Sequence, residues 1–159
     1  MAPRRQDAKG EDMDVTVRTA SRADEEAVMA LWRACGLVTA YNDPVADLAR
    51  AIAGPSSCVL VAEKAAGLIV GTVMVGHDGH RGWLYYVATD PSDRRAGVGR
   101  ALIAAGEGWL RDRQIAKVQL MVREANAAVL PFYEQLGFEE TPRIVMAKWL
   151  TPSDGDRQS

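Results

Sequence analysis

What this sequence lacks narrows the field first. Among its 159 residues are two cysteines, Cys35 and Cys58, too few for a disulfide framework and without the spacing of a metal site. They read as reduced, partly buried thiols, and no metal is expected. No apolar run approaches the ~20 residues that a membrane-spanning helix needs, and the opening Met-Ala-Pro-Arg-Arg-Gln-Asp has no apolar signal core. Neither sign of charge dominates: 19 Lys+Arg against 21 Asp+Glu leave −2, which argues against a nucleic-acid-binding surface. The expectation is a small cytoplasmic enzyme or binding module of one domain, with no membrane and no nucleic acid as partner. A homodimer is left open.

The ends carry no periodicity. Residues 1–12 hold three positive and three negative charges, and residues 151–159 are again polar, so both read as disordered tails around a folded domain at 13–150. Inside it the hydrophobic period changes repeatedly. Val15 and Val17 alternate with polar neighbours as in a strand. Ser21 and Asp24 form a cap pair before Val28, Leu31, Trp32 and Cys35, which share one helical face. Asp43-Pro44 opens a second helix through Val45, Leu48, Ala49 and Ile52. Strand-like runs follow at Cys58–Glu63, Leu68–Gly76 and Trp83–Thr89, with Asp78-Gly79 predicting a two-residue hairpin that sets His77 opposite His80. Val98, Leu102, Gly106, Trp109 and Leu110 predict a helix, Lys117–Val122 a strand, Val129–Leu136 a helix that Pro131 should kink, and Ile144–Leu150 a last strand. The order β-α-α-β-β-β-α-β-α-β predicts an α/β fold (α+β by some schemes), with a mixed, mostly antiparallel twisted sheet and helices on both faces.

The stretch from Val87 to Arg100 carries the chemistry. A strand runs into a turn, and a glycine-containing loop then becomes a helix. Glycines there permit positive φ and close approach of a ligand, and a helix start offers free amides to a phosphate. Arg94, Arg95 and Arg100 add three positive charges with no acid between them, which suggests a polyanionic ligand. A helix start with solvated arginines is the plainer reading, and the coincidence of glycines, strand end and basic residues weighs against it. A P-loop is excluded for want of its motif. A dinucleotide fingerprint would need glycine or alanine where Leu102 stands, so a dinucleotide-binding module is the weakest reading.

Arg94-Arg95-Ala96-Gly97-Val98-Gly99, three residues after Pro91, resembles the Gln/Arg-x-x-Gly-x-Gly/Ala motif of the GNAT superfamily of acyl-CoA N-acyltransferases. Asn126 followed by Tyr133 and Gly137-Phe138 resembles that family's Asn-x(6)-Tyr-x(3)-Gly-Phe segment. Leu31–Leu37 and Asn42-Asp43-Pro44 are similar to the small bacterial YpeA-type subgroup. The resemblance spans about Val15–Leu150 and implies acetyl-CoA as co-substrate and an amine, small or on a protein or peptide, as acceptor.

Carried over residue by residue, the resemblance implies that pantetheine pairs with the backbone of Val87 and Thr89. The pyrophosphate would rest on the loop of Arg94, Arg95, Ala96, Gly97, Val98, Gly99 and Arg100, and Asn126 would contact the cofactor arm. Tyr133 would protonate the leaving thiolate, since a phenol with a reference pKa of ~10 is protonated at neutral pH. A core position for Tyr133 and a helix cap for Asn126 are the plainer alternatives. A backbone N–H near Val87 would hold the oxyanion. Relatives often place a Glu or His on the strand before the loop. Here those positions are Trp83 and Tyr85, which leaves no evident general base and makes a CoA-binding sensor or scaffold the competing reading. Trp32, Tyr41 and Asn42, with Trp83 and Tyr85, are candidates for the acceptor pocket. His77 and His80 read as turn flanks, Glu25 and Glu26 as helix-start charges, and Cys35 as packing.

Overall fold

The computed structural model describes residues 15–94 and 96–151, so the expected tail at 1–12, and that at 151–159 apart from Thr151, lie outside the described residues. Two compact units divide the chain at Leu120/Met121. In the first, β1 (Thr16–Thr19) precedes α1 (Glu25–Ala34), α2 (Pro44–Ala53), β2 (Ser57–Glu63), β3 (Ile69–His77), β4 (Gly82–Thr89), α3 (Val98–Asp112) and β5 (Val118–Gln119). The sheet order is β1-β2-β3-β4-β5, antiparallel as far as β4 and parallel between β4 and β5. That is the mixed, mostly antiparallel sheet expected of the sequence.

Alternation along β3 assigns the two faces. Thr72 meets Trp32 of α1, and Met74 packs on the cluster that α1 and α2 form with Val59, Val61 and Ala88. Val73 and Val75 lie on the opposite face, under Gly106 of α3. Helices therefore cover both faces. On the α3 side, glycine permits close approach. A Cβ at Gly71 would lie 2.7 Å from Val98 Cγ1 and from Leu102 Cδ1, and one at Gly82 would lie 2.5 Å from Leu110 Cδ1. These two strand glycines seat the start and the end of α3 directly on the sheet.

The β3–β4 ladder contains an irregularity that alternation in the sequence does not reveal. Thr72 pairs with Ala88 and Met74 with Tyr85, so Val73 alone on β3 faces both Tyr86 and Val87 on β4. This is a β-bulge with one extra residue, and Tyr86 within it has φ +48°. A positive φ at a bulky residue costs on the order of 1–3 kcal/mol and persists only where its surroundings fix it. Before the bulge the odd positions Trp83 and Tyr85 point away from α3; after it, Tyr86 and Ala88 share the α1–α2 face.

Other expectations need correction. The β3–β4 connection is a four-residue loop, Asp78–Arg81, with His77 opposite Gly82 rather than His80. The Asp78 carboxylate accepts the amides of His80 (2.9 Å) and Arg81 (2.8 Å), a local capture that wins over the tighter turn. The expected strand at 117–122 shortens to two residues, and no strand forms over 144–150. Ile144 and Met146 are 92% exposed and Leu150 90%. An alternating pattern specifies which face a strand would bury but supplies no ladder partner. In the second unit, residues Glu124–Val129 are 3-10 helix and α4 (Leu130–Gln135) begins just before Pro131. Proline at the first helical turn needs no kink, because the amide it lacks has no intrahelical partner there.

The entry to α1 is held by charge. Ser21 and Asp24 cap a 3-10 turn, and Asp24 also receives both terminal nitrogens of Arg18 at 2.8 Å. Arg18 Nε donates to Glu63 at 2.5 Å, tying β1, the turn and β2 together. Hydrogen bonds from Arg18 hold the Asp24 carboxyl at about 2, below its ordinary 3.8. A carboxyl whose pKa is depressed in the folded state stabilises fully above its unfolded value and loses that contribution as pH falls through the folded one. Asp24 should therefore contribute at most about 2 kcal/mol, discounted because Arg18 is partly exposed, and lost between about pH 4 and 2. Urea titrations across that range should show the slope in wild type and a flatter profile in Arg18→Met. Parallel profiles for the two proteins would show that the pair adds nothing.

Candidate functional site

The end of β4, the loop after it and the start of α3 make one continuous backbone surface. β5 pairs with β4 only at Gly82 and Trp83, so no strand among the described residues pairs with that edge of β4 from Leu84 to Thr89. The Asp90 amide donates to Val70 at 2.8 Å, which turns Asp90 toward β3. Strand alternation then turns the N–H and C=O of Thr89, and of Val87 two residues earlier, toward the open edge. These are the two residues singled out from the sequence. The carbonyl of Thr89 accepts a weak S–H bond from Cys35, at 3.3 Å.

Beyond β4, Asp90 caps a 3-10 turn at Pro91–Asp93 by accepting the Ser92 amide at 2.9 Å, and the Ser92 bonds hold its carboxyl below the usual range. Buried Asp93 pairs with Lys64 from the end of β2, anchoring the turn to the sheet. Arg95 lies outside the described residues. The chain then passes through Ala96 to Gly97, which caps α3 at φ +83°, a left-handed conformation that glycine adopts without strain. The first helical bond runs from the Ala101 amide to the Gly97 carbonyl (3.0 Å). The amides of Val98, Gly99 and Arg100 consequently have no partner within the helix. No acid occupies the first turn of α3, and Arg94 and Arg100 are exposed. Free amides, the positive end of the helix dipole and two solvent-facing guanidinium groups thus lie together at this terminus, a combination whose chemistry suits an anion.

On the α1–α2 face, Trp83 and Tyr85 stack loosely with centroids 6.3 Å apart, and Tyr85 is exposed. Trp32 is wholly buried, so it acts on this face through its neighbours and not as pocket lining. Its ring stacks on Tyr86 at 3.9 Å, and its Nε1–H donates to Thr72 Oγ1 at 2.9 Å. Tyr86 in turn donates its hydroxyl to Asp47 of α2 at 2.8 Å, and burial and that carboxylate push its phenol pKa up. Tyr41 is half-buried and Asn42 exposed in the α1–α2 connection. Sequence reasoning missed Tyr86, Thr72 and Asp47. β4 is apolar almost throughout, so no break in alternation marks Tyr86 as the inserted residue.

In the second unit, Asn126 is exposed in the 3-10 segment, its amide donating to Arg123 at 2.8 Å. Tyr133 is half-buried on α4, edge-on to Phe132 and Phe138, with centroids at 5.0 and 5.7 Å. Burial raises its phenol above the ordinary 10, so it stays protonated at neutral pH. His77 ends β3, His80 lies within the Asp78–Arg81 loop rather than flanking it as expected, and Glu25 and Glu26 open α1, as the sequence suggests.

Residues 20–138 match the acetyltransferase (GNAT) family. An acetyltransferase of Pectobacterium atrosepticum is 42% identical over 134 residues, covering 84% of this chain and 94% of the relative. One from Yersinia enterocolitica is 41% identical over the same shares. Among solved structures, an acetyltransferase of Trypanosoma brucei matches 86% of this chain and 100% of its own at TM-score 0.67 and 26% identity. The aminoglycoside N-acetyltransferase AAC(6')-Iy, solved with CoA, matches 86% of this chain and 95% of its own at TM-score 0.72 and 20% identity, a likeness of fold.

The two thiols give a direct chemical check on this geometry. Burial raises Cys35 despite the opposing pull of Arg94, and burial pushes Cys58 up to about 11. Since the thiolate is the reactive form, both should alkylate slowly at neutral pH, with Cys35, the less buried of the two, ahead of Cys58. Rates with iodoacetamide should still be climbing above the ordinary thiol range near 8.5. Fast labelling of Cys35 at neutral pH would contradict the assigned environment.

Proposed function

The chain belongs to the acetyltransferase (GNAT) family, and from that premise we propose how its residues divide the transfer of an acetyl group from acetyl-CoA to an amine. The observation that carries the reading is the unpaired edge of β4 at Val87 and Thr89, leading directly into the free amides at the start of α3. An extended pantetheine arm can add to that edge as a strand would, making hydrogen bonds along the backbone. The pyrophosphate then reaches the amides of Val98, Gly99 and Arg100, with Arg94, Arg95 and Arg100 supplying charge. Asn126 and Tyr133 take their roles, at the cofactor arm and the leaving sulfur, from their match to the family's second motif.

The neutral amine attacks the thioester carbonyl, forming a C–N bond and a tetrahedral oxyanion that the Val87 N–H stabilises. Collapse breaks the C–S bond, the phenol of Tyr133 protonates the departing thiolate, and the amine's surplus proton leaves to solvent. The β4 positions facing the α1–α2 side carry Trp83, Tyr85 and Tyr86 and no carboxylate or imidazole, so the amine arrives already deprotonated. The acceptor approaches from this aromatic face, with Tyr41 and Asn42 at its border. The free thiols are in keeping with a cytoplasmic location.

Acetyl-CoA should stabilise the folded protein by about 2.7 kcal/mol at a hundred times its dissociation constant. Gly97→Asp puts a Cβ on a left-handed cap and a negative charge beside the pyrophosphate, so it should abolish the thermal shift. A folded Gly97→Asp protein with wild-type affinity would refute the assignment. Tyr133→Phe tests the other end. Affinity for acetyl-CoA should hold within about twofold, while turnover on an amine panel falls by about 10²–10⁴. Unchanged turnover, measured where chemistry limits the rate, would leave Tyr133 a packing residue and solvent the acid.

A further inference from the structure

The bulge in β4 is fastened at three points, and all three belong to one residue. The ring of Tyr86 stacks on Trp32, its hydroxyl donates to Asp47 at 2.8 Å, and its carbonyl accepts from Thr72 Oγ1 at 2.9 Å. Thr72 is fully buried and has a single hydroxyl proton. Because its oxygen already accepts the Trp32 Nε1–H at 2.9 Å, that proton is committed to the Tyr86 carbonyl. Asp47 is held in turn by Arg50 at 2.9 Å.

We propose that Thr72, Tyr86 and Asp47 are positioning residues for the acyl-transfer step, locking the bulge so that the backbone N–H of Val87 faces the thioester carbonyl. The inference rests on the site reading above and adds three residues to which that reading gives no role in the reaction. The parity argument carries it. After the bulge, Ala88 pairs with Thr72, so Val87 turns its amide to the open edge. A strand that relaxed to regular alternation would rotate that amide by one position, toward β3. The positive φ of Tyr86 makes the bulged state unfavourable on its own, and the three contacts select it. Asp47 thus connects α2 to the bulge through the Tyr86 hydroxyl.

The test reads the hydrogen bond directly and needs no knowledge of the acceptor. Acetyl-CoA labelled with ¹³C at the thioester carbonyl is bound to the full-length protein, and its carbonyl stretch is compared with that in buffer. A donor aimed at the oxygen lowers the frequency. Wild type should show the lowered band, and Thr72→Val should lose most of it while CoA affinity changes less than about twofold. Thr72→Ser should restore the band. Turnover with any accepted amine should fall in parallel by about tenfold or more, removal of an oxyanion donor outright being worth about 10²–10³. Should Thr72→Val fail to fold, Tyr86→Phe keeps the ring stack and the Thr72 bond but drops the tether to Asp47, and should show an intermediate band. A purely structural role would lower the melting temperature and leave the carbonyl band in place in the folded variants, which overturns the proposal. A wild-type protein that binds and turns over acetyl-CoA with an unshifted band also overturns it, leaving acetyl transfer intact. Failure of wild type to bind acetyl-CoA would instead remove the site reading, and this inference with it.

Discussion

One surplus residue in β4 decides which backbone groups the strand turns to its open edge. Side chains and amides alternate along a strand with period two, so an extra residue reverses both from that point onward. Trp83 and Tyr85 precede the reversal, and Ala88 and Thr89 follow it. The same step that sends Tyr86 under α1 and α2 turns Val87 and Thr89 out along an edge that β5 leaves uncovered. A regular strand of the same composition would bury a different set of side chains and present a different amide.

The second half of the site depends on close approach between helix and sheet. Gly71 and Gly82 remove the side chains that would hold α3 away, and Val98, Leu102 and Leu110 occupy the space. This places the start of α3 beside Gly71, whose ladder partner is Thr89, so strand end and helix start become neighbours. The Lys64–Asp93 pair and the Asp90 cap fix the short connection between them. The basic residues flanking the amides could sit on many surfaces. On the proposed reading, what would make them a site is that backbone donors from two elements lie close together there with few degrees of freedom.

Much of this was legible because certain residues have a single physical use. Gly97 stands where φ is +83°, and Asp43-Pro44 where a helix must start, so residue type located both. The α1, α2 and α3 faces followed from their period. The bulge was not legible, because inserting a residue changes parity without changing composition, and Tyr86 was passed over for Trp83 and Tyr85. The hairpin loop escaped for a related reason. Asp78-Gly79 fits a two-residue turn, yet the Asp78 carboxylate caps two amides and widens it. Ile144–Leu150 has the alternation of a strand, and alternation cannot specify what the strand would pair with. Pro131 was misjudged through helix length: once 3-10 geometry runs to Val129, the proline falls in a first turn where it costs nothing.

On the proposed division of labour, binding and chemistry draw on different physics. Arg94 and Arg100 face solvent, where charges interact over roughly 8 Å at physiological salt and are screened beyond it. Their attraction for the phosphates is the same before and during the reaction, so it sets affinity and cannot by itself accelerate transfer. The Val87 amide differs on both counts. It is fixed by a buried network around Thr72, which salt does not screen, and its partner oxygen gains charge as the amine adds. A hydrogen bond that strengthens between ground state and transition state is one that lowers the barrier. The strained φ of Tyr86 therefore sits where its cost, spread over Trp32, Thr72 and Asp47, is converted into orientation of a single N–H. The exposed arginines need no such support, because a diffuse polyanion tolerates imprecision that a developing oxyanion does not.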